Sequence, residues 1–218
     1  MLLAVSLLLS SGIAACRASK ADTSLSVDSI IGVYAGTKDL TATLTSGGSL
    51  LSGKIINFTS TLNSMWRGSA VTDSSGVATL HNISLAGVSV GTYVNAIGAM
   101  FAGDADYNES SGSADVTVNK ANTSLSVGPA SGALGGTVSL AAVLLLGDYA
   151  VSGVSISFTL NGVYMGSATA DDSGTATLPN VSIAGIAAGT YTGAIGASFA
   201  GDATFNASNG SADLTVTS

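Results

Sequence analysis

Charged side chains are scarce in this sequence: they make up 9% of its 218 residues, and only six of them are Lys or Arg. The formal net charge is −7 and the pI is near 4.2. Because nucleic-acid affinity depends largely on clustered Lys and Arg, nucleic acid is not an expected partner. No Lys or Arg follows Lys120, so residues 121–218 can form neither a Lys-derived cross-link nor a Schiff base.

Histidine and cysteine occur once each, as His81 and Cys16. A single Cys cannot form an internal disulfide. Residues 121–218 contain neither residue type, which excludes a Ser-His or Cys-His nucleophile pair there. The Asp and Glu residues are too scattered to suggest a paired acid and base. The sequence therefore predicts a protein that is not an enzyme, with no catalytic residues and no cofactor.

Hydrophobic residues make up 46% of the chain, but they are rarely gathered into long runs. They are spread among Ser, Thr and Gly; Leu40, Ala42 and Leu44, for example, alternate with Thr41 and Thr43. Alternation with a period of two gives a strand one apolar face. Together with many turn residues, this pattern predicts a β-rich protein.

One stretch occurs twice and organises the chain. It reads G-T-Y-V-N-A-I-G-A-M-F-A-G-D-A-D-Y-N at 91–108 and G-T-Y-T-G-A-I-G-A-S-F-A-G-D-A-T-F-N at 189–206. The flanking sequence also matches, at a shift of 100 residues as far as Thr159 and of 98 residues beyond it. This duplication predicts two domains with separate cores, copy 1 over residues 21–119 and copy 2 over residues 120–218.

Each copy contains about seven segments with strand character, at the spacing of a sandwich. The pattern V/I-x-x-G-x-Y, at 88–93 and 186–191, has the spacing of a tyrosine corner. We predict an all-β chain of two tandem immunoglobulin-like β-sandwiches. In this fold Tyr93 and Tyr191 are buried and donate hydrogen bonds to backbone a few residues upstream. Residues 118–122 are too short and too poor in Gly and Pro for a flexible linker, which predicts a semi-rigid, end-to-end pair.

Residues 1–20 have the character of an export signal followed by a polar tether. The apolar stretch Leu2–Ile13 is shorter than the roughly 18 residues of a spanning helix. It leads into Ile-Ala-Ala-Cys16, which resembles the lipobox of bacterial lipoproteins and implies cleavage before Cys16 and lipidation of that residue. An ordinary signal peptide with an incidental Cys is the alternative. Either interpretation predicts an exported protein, with contact to a membrane only through a lipid anchor at Cys16.

Beyond residue 21 the chain resembles bacterial Ig-like repeats, which occur in tandem in large surface and secreted proteins. The resemblance lies in T-S-L-S-V at the start of each copy, the turns at 73–78 and 171–176, L-A-G or I-A-G before G-T-Y, and F-A-G-D-A-x-[YF]-N. It implies a non-catalytic spacer, stalk or adhesion module. Together with the export signal, this predicts a protein that is lipid-anchored on the bacterial cell surface or secreted. Other surface proteins or glycans are the partners that the resemblance suggests, and further Ig-like repeats would fit a longer parent chain.

Two pairs of residues are candidate ligand contacts. Trp66 and Tyr164 lie at equivalent hairpin tips, where they could contact a sugar or a protein, although isolated surface aromatics are common. This suggests a ligand-binding module as the alternative function. Asp104 and Asp106 could supply two oxygens to calcium near a domain junction. Calcium is the less favoured interpretation, because Asp beside turns commonly bonds to backbone and Thr204 replaces Asp106 in copy 2.

Overall fold

The structure is a computed structural model that describes residues 19–62 and 68–218. Within these residues the regular secondary structure is entirely β-strand. Copy 1 contains β1 (Ser24–Val27), β2 (Ile30–Val33), β3 (Thr37–Ser46), β4 (Ser49–Leu50), β5 (Ile55–Ser60), β6 (Gly68–Val71), β7 (Val77–Ser84), β8 (Gly91–Phe101) and β9 (Ser110–Asn119). Copy 2 contains β10 (Ser124–Val127), β11 (Ala130–Ala133), β12 (Thr137–Leu146), β13 (Tyr149–Ala150), β14 (Ser155–Leu160), β15 (Val163–Thr169), β16 (Thr175–Ser182), β17 (Gly189–Phe199) and β18 (Ser208–Thr217).

Each copy folds as a sandwich of a four-stranded and a five-stranded sheet. In copy 1 the smaller sheet is built around β3, which pairs with β1, β4 and β7, and the larger sheet has the order β2-β9-β8-β5-β6. Copy 2 repeats both sheets strand for strand. No sheet in the described part of the chain combines strands from both copies. The predicted fold class, two tandem immunoglobulin-like β-sandwiches, is confirmed.

The core of each sandwich lies between its two sheets and follows from the alternation in the sequence. In copy 1, Leu40, Ala42 and Leu44 point inward from one sheet, and Ile56 and Phe58 point inward from the other. Burial of such side chains supplies the main favourable contribution to folding, about 1.5–3 kcal/mol for each large one. Copy 2 has its own separate cluster of the corresponding residues.

Two strands in each copy were not predicted from the sequence. β2 and β11 follow the first strand after two residues and pair in parallel with the last strand, as in Ile30↔Val116 and Ala130↔Leu214. Four residues are too few to establish a period, and their partner strand lies more than 80 residues away. The two-residue strands β4 and β13 are also additions. Within the residues that the structure describes, each copy therefore has nine strands instead of about seven.

Candidate functional site

The two repeated tyrosines hold the turn before the long strands β8 and β17. The Tyr93 hydroxyl donates a hydrogen bond to the Ser89 carbonyl oxygen at 2.8 Å, and the Tyr191 hydroxyl donates to the Ala187 carbonyl oxygen at 2.9 Å. Both rings pack against the core of their own copy but are half-buried. The prediction that both rings are buried was therefore wrong, since each ring is only partly covered.

Tyr93→Phe and Tyr191→Phe should each lower the free energy of unfolding by about 1 kcal/mol, because the ring stays while the hydroxyl hydrogen bond is lost. Urea unfolding of the full chain measures this change. Tyr164→Phe is the matched control, since that ring is exposed. If both corner variants unfold like the control variant, the hydrogen bonds contribute nothing measurable.

A groove at one end of copy 1 is lined by Asp104, one of the two candidate calcium residues. It has a volume of about 410 Å³ and lies between the start of β5 and the segment that follows β8. The Lys54 ammonium lies 2.5 Å from the Asp104 carboxylate and 4.6 Å from the centroid of the Tyr107 ring. Lys54 therefore sits between an anion and the electron-rich face of an aromatic ring, both of which attract a cation.

The Asp104 carboxylate is already engaged on both oxygens. Oδ2 accepts from Lys54, and Oδ1 accepts from the backbone N–H groups of Asp106 and Tyr107 at 2.9 and 3.0 Å. Asp202 makes the same two backbone bonds in copy 2, to Thr204 and Phe205. Within residues 19–62 and 68–218, no three His, Cys, Asp or Glu side chains lie close enough to hold a metal ion. The geometry supports a turn-forming role for Asp104.

The ion pair shifts the pKa values of Lys54 and Asp104 in the directions that favour their charged forms. The hydrogen bond from Lys54 lowers the pKa of the Asp104 carboxyl below its ordinary value, and the same bond raises the pKa of Lys54. A carboxyl whose folded-state pKa is depressed stabilises the fold above its unfolded pKa of about 3.9, and this contribution is lost as the pH falls through the folded-state value. Acid below about pH 4 should therefore remove the contribution of Asp104.

Lys54→Val should raise the pKa of Asp104 toward its ordinary value, because it removes the cation and introduces the residue that copy 2 has at this position, Val154. Carboxyl-detected NMR titration of the full chain measures the pKa of Asp104 in the wild type and in the variant. Lys38→Val is the matched control, since Lys38 is not among the groups that shift Asp104. An unchanged Asp104 titration in Lys54→Val would contradict the ion pair.

Copy 2 has the same groove without the ion pair. The groove has a volume of about 370 Å³ and is lined by Val154, Ser155 and Asp202 among others. The charged pair therefore distinguishes copy 1 from copy 2.

Of the two predicted aromatic contacts, Tyr164 can be placed and Trp66 lies outside the described residues. Asn161 and Gly162 have φ values of 49° and 79° and form a two-residue turn between the paired residues Leu160 and Val163. Tyr164 is consequently in strand β15 and not in the turn itself, and 64% of it is exposed. Tyr149 is a second exposed ring in copy 2. The sequence did not single it out, because it lies in the two-residue strand β13, which is too short to show a pattern.

The two copies meet through aromatic side chains. The rings of Tyr34 and Phe205 pack edge to face with centroids 5.9 Å apart. Tyr34 follows β2 and donates its backbone N–H to the Asn119 carbonyl oxygen, at the end of β9. Ala121 is buried and bonds to copy 2 through both its N–H and its carbonyl group, to Thr204 and Asn206. Only Lys120 therefore separates a residue fixed in copy 1 from one fixed in copy 2.

Cys16, the predicted lipid attachment point, lies outside the described residues. Among the residues that the structure describes, no helix is long and apolar enough to span a membrane.

No protein-family model and no curated protein matches the chain. Among solved structures, the chain is similar to a tetra-tandem repeat from the extending region of a large adhesion protein, with 21% identity and a TM-score of 0.42 over 90% of this chain and 49% of that one. It is also similar to the titin domains z1z2 in complex with telethonin, with 12% identity and a TM-score of 0.40 over 91% and 93%. The Yersinia pseudotuberculosis adhesin InvE gives 16% identity and a TM-score of 0.36 over 90% and 59%.

The chain spans about half the length of the first of these structures. At such identities and TM-scores the similarity carries no information on ligand or activity.

Proposed function

We propose that this chain is a non-catalytic, exported module in which copy 1 (21–119) and copy 2 (120–218) act together as a spacer, stalk or adhesion unit. The junction is the observation that carries the proposal. A linker of one free residue, a buried Ala121 and the Tyr34–Phe205 ring contact restrict how the two sandwiches rotate against each other. A stalk needs this stiffness, because a flexible chain of the same length would collapse toward its attachment point.

Tyr34→Ala tests the proposal by removing the ring contact between the copies. Small-angle X-ray scattering of the full chain should fit one extended two-domain particle, and the variant should give a broader distribution of interatomic distances. Leu134→Ala is the matched control, because Leu134 is the counterpart of Tyr34 in copy 2 and is exposed. A compact particle with a large interface between the copies, or no change in Tyr34→Ala, would contradict the stalk.

Attachment to a membrane through lipid on Cys16 is the finer part of this proposal. It is supported by the apolar stretch Leu2–Ile13 and the Ile-Ala-Ala-Cys16 sequence that follows it. Mass spectrometry of the mature N-terminus from a bacterial host should find an acylated Cys16. A free thiol at Cys16, or cleavage elsewhere, would reject lipidation without affecting the stalk.

Ligand binding through the copy 2 surface is the second candidate function, and the exposure of Tyr164 favours it. An exposed ring on a rigid strand offers a flat apolar surface to a sugar or to an apolar side chain. A glycan array probed with the full chain, and repeated with Tyr164→Ser, measures this. Tyr149→Ser is the control for general loss of an exposed ring. Binding that is equal in all three proteins, or absent, would reject the role of Tyr164.

A further inference from the structure

The sequence contains the pair Asn-Gly twice, and both occurrences are in copy 2. Asn161 and Gly162 form the two-residue turn between β14 and β15, where both residues are exposed. Asn209 and Gly210 lie inside β18, where both residues pair with β17. The same dipeptide therefore occurs once in an open turn and once in a ladder of paired strands.

Asparagine is one of the chemically labile residues of proteins, and the lability is greatest before glycine, whose lack of a side chain exposes its backbone nitrogen. That nitrogen loses its proton to hydroxide and attacks the Asn side-chain carbon Cγ. The new N–Cγ bond forms, the bond from Cγ to Nδ2 breaks, and ammonia leaves after taking up a proton from water. The product is a five-membered succinimide ring.

Water then opens the succinimide ring at one of its two carbonyl carbons. Opening at Cγ gives Asp, and opening at the backbone carbonyl carbon gives isoaspartate, in which the main chain runs through the former side chain. The overall reaction consumes one water and releases one ammonia, so it needs no oxidant, reductant or cofactor.

Ring closure sets a condition on the backbone. The ring contains Cβ, Cα and the carbonyl carbon of Asn together with the next nitrogen, so ψ of this Asn is held at about −120°. In a type II′ turn the first central residue has this ψ, with φ of about +60°. Asn161 and Gly162 have φ values of 49° and 79°, as in a type I′ turn.

Types I′ and II′ are both common two-residue hairpin turns. Rotating the peptide group between Asn161 and Gly162 converts type I′ into type II′ and leaves φ of Asn161 nearly unchanged. Gly162 has to reverse the sign of its φ, which glycine does without steric cost. A Cβ built on Gly162 would meet nothing within 4 Å, so no neighbour blocks this rotation.

Asn209 cannot reach the same geometry while β18 stays paired. A strand residue has ψ of about +135°, so ring closure requires a rotation of roughly 100° that breaks the ladder with β17. Gly210 is also confined, because a Cβ built on it would lie 2.5 Å from the Leu125 carbonyl oxygen. Local unfolding of the strand must therefore precede reaction at Asn209.

We infer that Asn161 is a site of spontaneous modification in the folded chain, through succinimide to isoaspartate, and that the fold protects Asn209. Isoaspartate adds one main-chain carbon to a turn that holds two residues between Leu160 and Val163. Because turn length and type fix the register of a hairpin, the pairing of β14 with β15 is disturbed beside Tyr164. This chemistry goes beyond the proposed function, since it needs neither the stalk geometry nor a ligand.

Incubation of the full chain in mildly alkaline buffer, followed by peptide mass spectrometry, tests the inference. Residues 121–218 offer trypsin no Lys or Arg, so pepsin is used, in acid that keeps the amide nitrogen protonated and stops the reaction. Asn161 should convert at least about tenfold faster than Asn209. Electron-based fragmentation should identify isoaspartate at position 161. Equal conversion at the two sites, faster conversion at Asn209, or no isoaspartate overturns the inference.

The same incubation in concentrated urea is the control for local sequence, because unfolding removes both the turn and the ladder. The conversion rates of Asn161 and Asn209 should then converge. If Asn161 keeps its full advantage in urea, the neighbouring residues set the rates and the inference from the fold fails.

The effect on the hairpin is tested on the modified chain, which ion exchange separates by its additional negative charge. Freshly prepared Asn161→Asp is the matched control, because it carries the same charge on an ordinary main chain. Amide hydrogen exchange in β14 and β15 should be faster in the isoaspartyl chain than in Asn161→Asp. Identical exchange in the two proteins would overturn the predicted change in pairing.

Discussion

Phe158→Ala is expected to lower the free energy of unfolding of copy 2 by about 3–5 kcal/mol, because removing a fully buried ring loses its transfer free energy and leaves a cavity. Phe158 is the largest fully buried side chain of copy 2. The smaller side chains of Ile156 and Ile195 are also fully buried and belong to the same core cluster. The counterpart of Phe158, Phe58, belongs to the separate cluster of copy 1. Copy 1 should therefore keep its stability in Phe158→Ala.

Peptide-resolved amide hydrogen exchange of the full chain distinguishes the two copies. In Phe158→Ala the strands of copy 2 should exchange faster while those of copy 1 are unchanged, and Phe58→Ala should give the mirror result. Tyr164→Ala is the surface control and should stay within about 0.5 kcal/mol of the wild type. Equal acceleration in both copies would show that they unfold as one unit and that the division at residues 119 and 120 has no energetic meaning.

Gly174→Ala is expected to destabilise copy 2 more than Gly185→Ala, although both residues have the backbone conformation that favours glycine. Their φ values are 78° and 84°, so Ala costs about 1 kcal/mol at either position. At Gly174 an added Cβ would lie 2.5 Å from the Leu144 carbonyl oxygen, whereas at Gly185 it would meet nothing within 4 Å. Because backbone cannot move aside cheaply, the clash adds about 1–3 kcal/mol.

Urea denaturation of the two variants measures this difference directly. Copy 1 provides a graded comparison, because the Cβ of Gly76→Ala would lie 2.9 Å from the Leu44 carbonyl oxygen. Gly76→Ala should therefore destabilise its copy less than Gly174→Ala does. Equal costs at Gly174 and Gly185 would mean that the strand of Leu144 shifts to relieve the contact.

Local patterns in the sequence predicted the features that depend on neighbouring residues. The alternation through Leu40, Ala42 and Leu44 gave the inward face of β3, since successive side chains of a strand point to opposite sides. The hydrogen bonds of Tyr93 and Tyr191 reach only four residues upstream, so their spacing sufficed to suggest them. The extent to which each ring is covered depends on distant strands, and that part was wrong.

Contacts between distant residues could not be predicted in this way. The sequence indicated a turn at Asp104, but the partner of its carboxylate, Lys54, precedes it by 50 residues and lies just before β5. The parallel pairing of β2 with β9 is of the same kind. Both the Lys54–Asp104 contact and the β2–β9 pairing form only when the sandwich closes, so neither of them leaves a local signal in the sequence.

By itself the sequence determined the duplication, the β-sandwich class and the scarcity of groups that could carry nucleophilic catalysis, because each of these is a matter of composition or of short-range period. Only the tertiary structure decided which apolar residues are covered where two of them are adjacent in one strand. Ile55 and Ile56 are adjacent and chemically identical, yet Ile56 is in the core and Ile55 faces outward. The reason is that a strand has two faces and the packing of the opposite sheet selects one of them, which leaves Ile55, Val71 and Met100 exposed on the other.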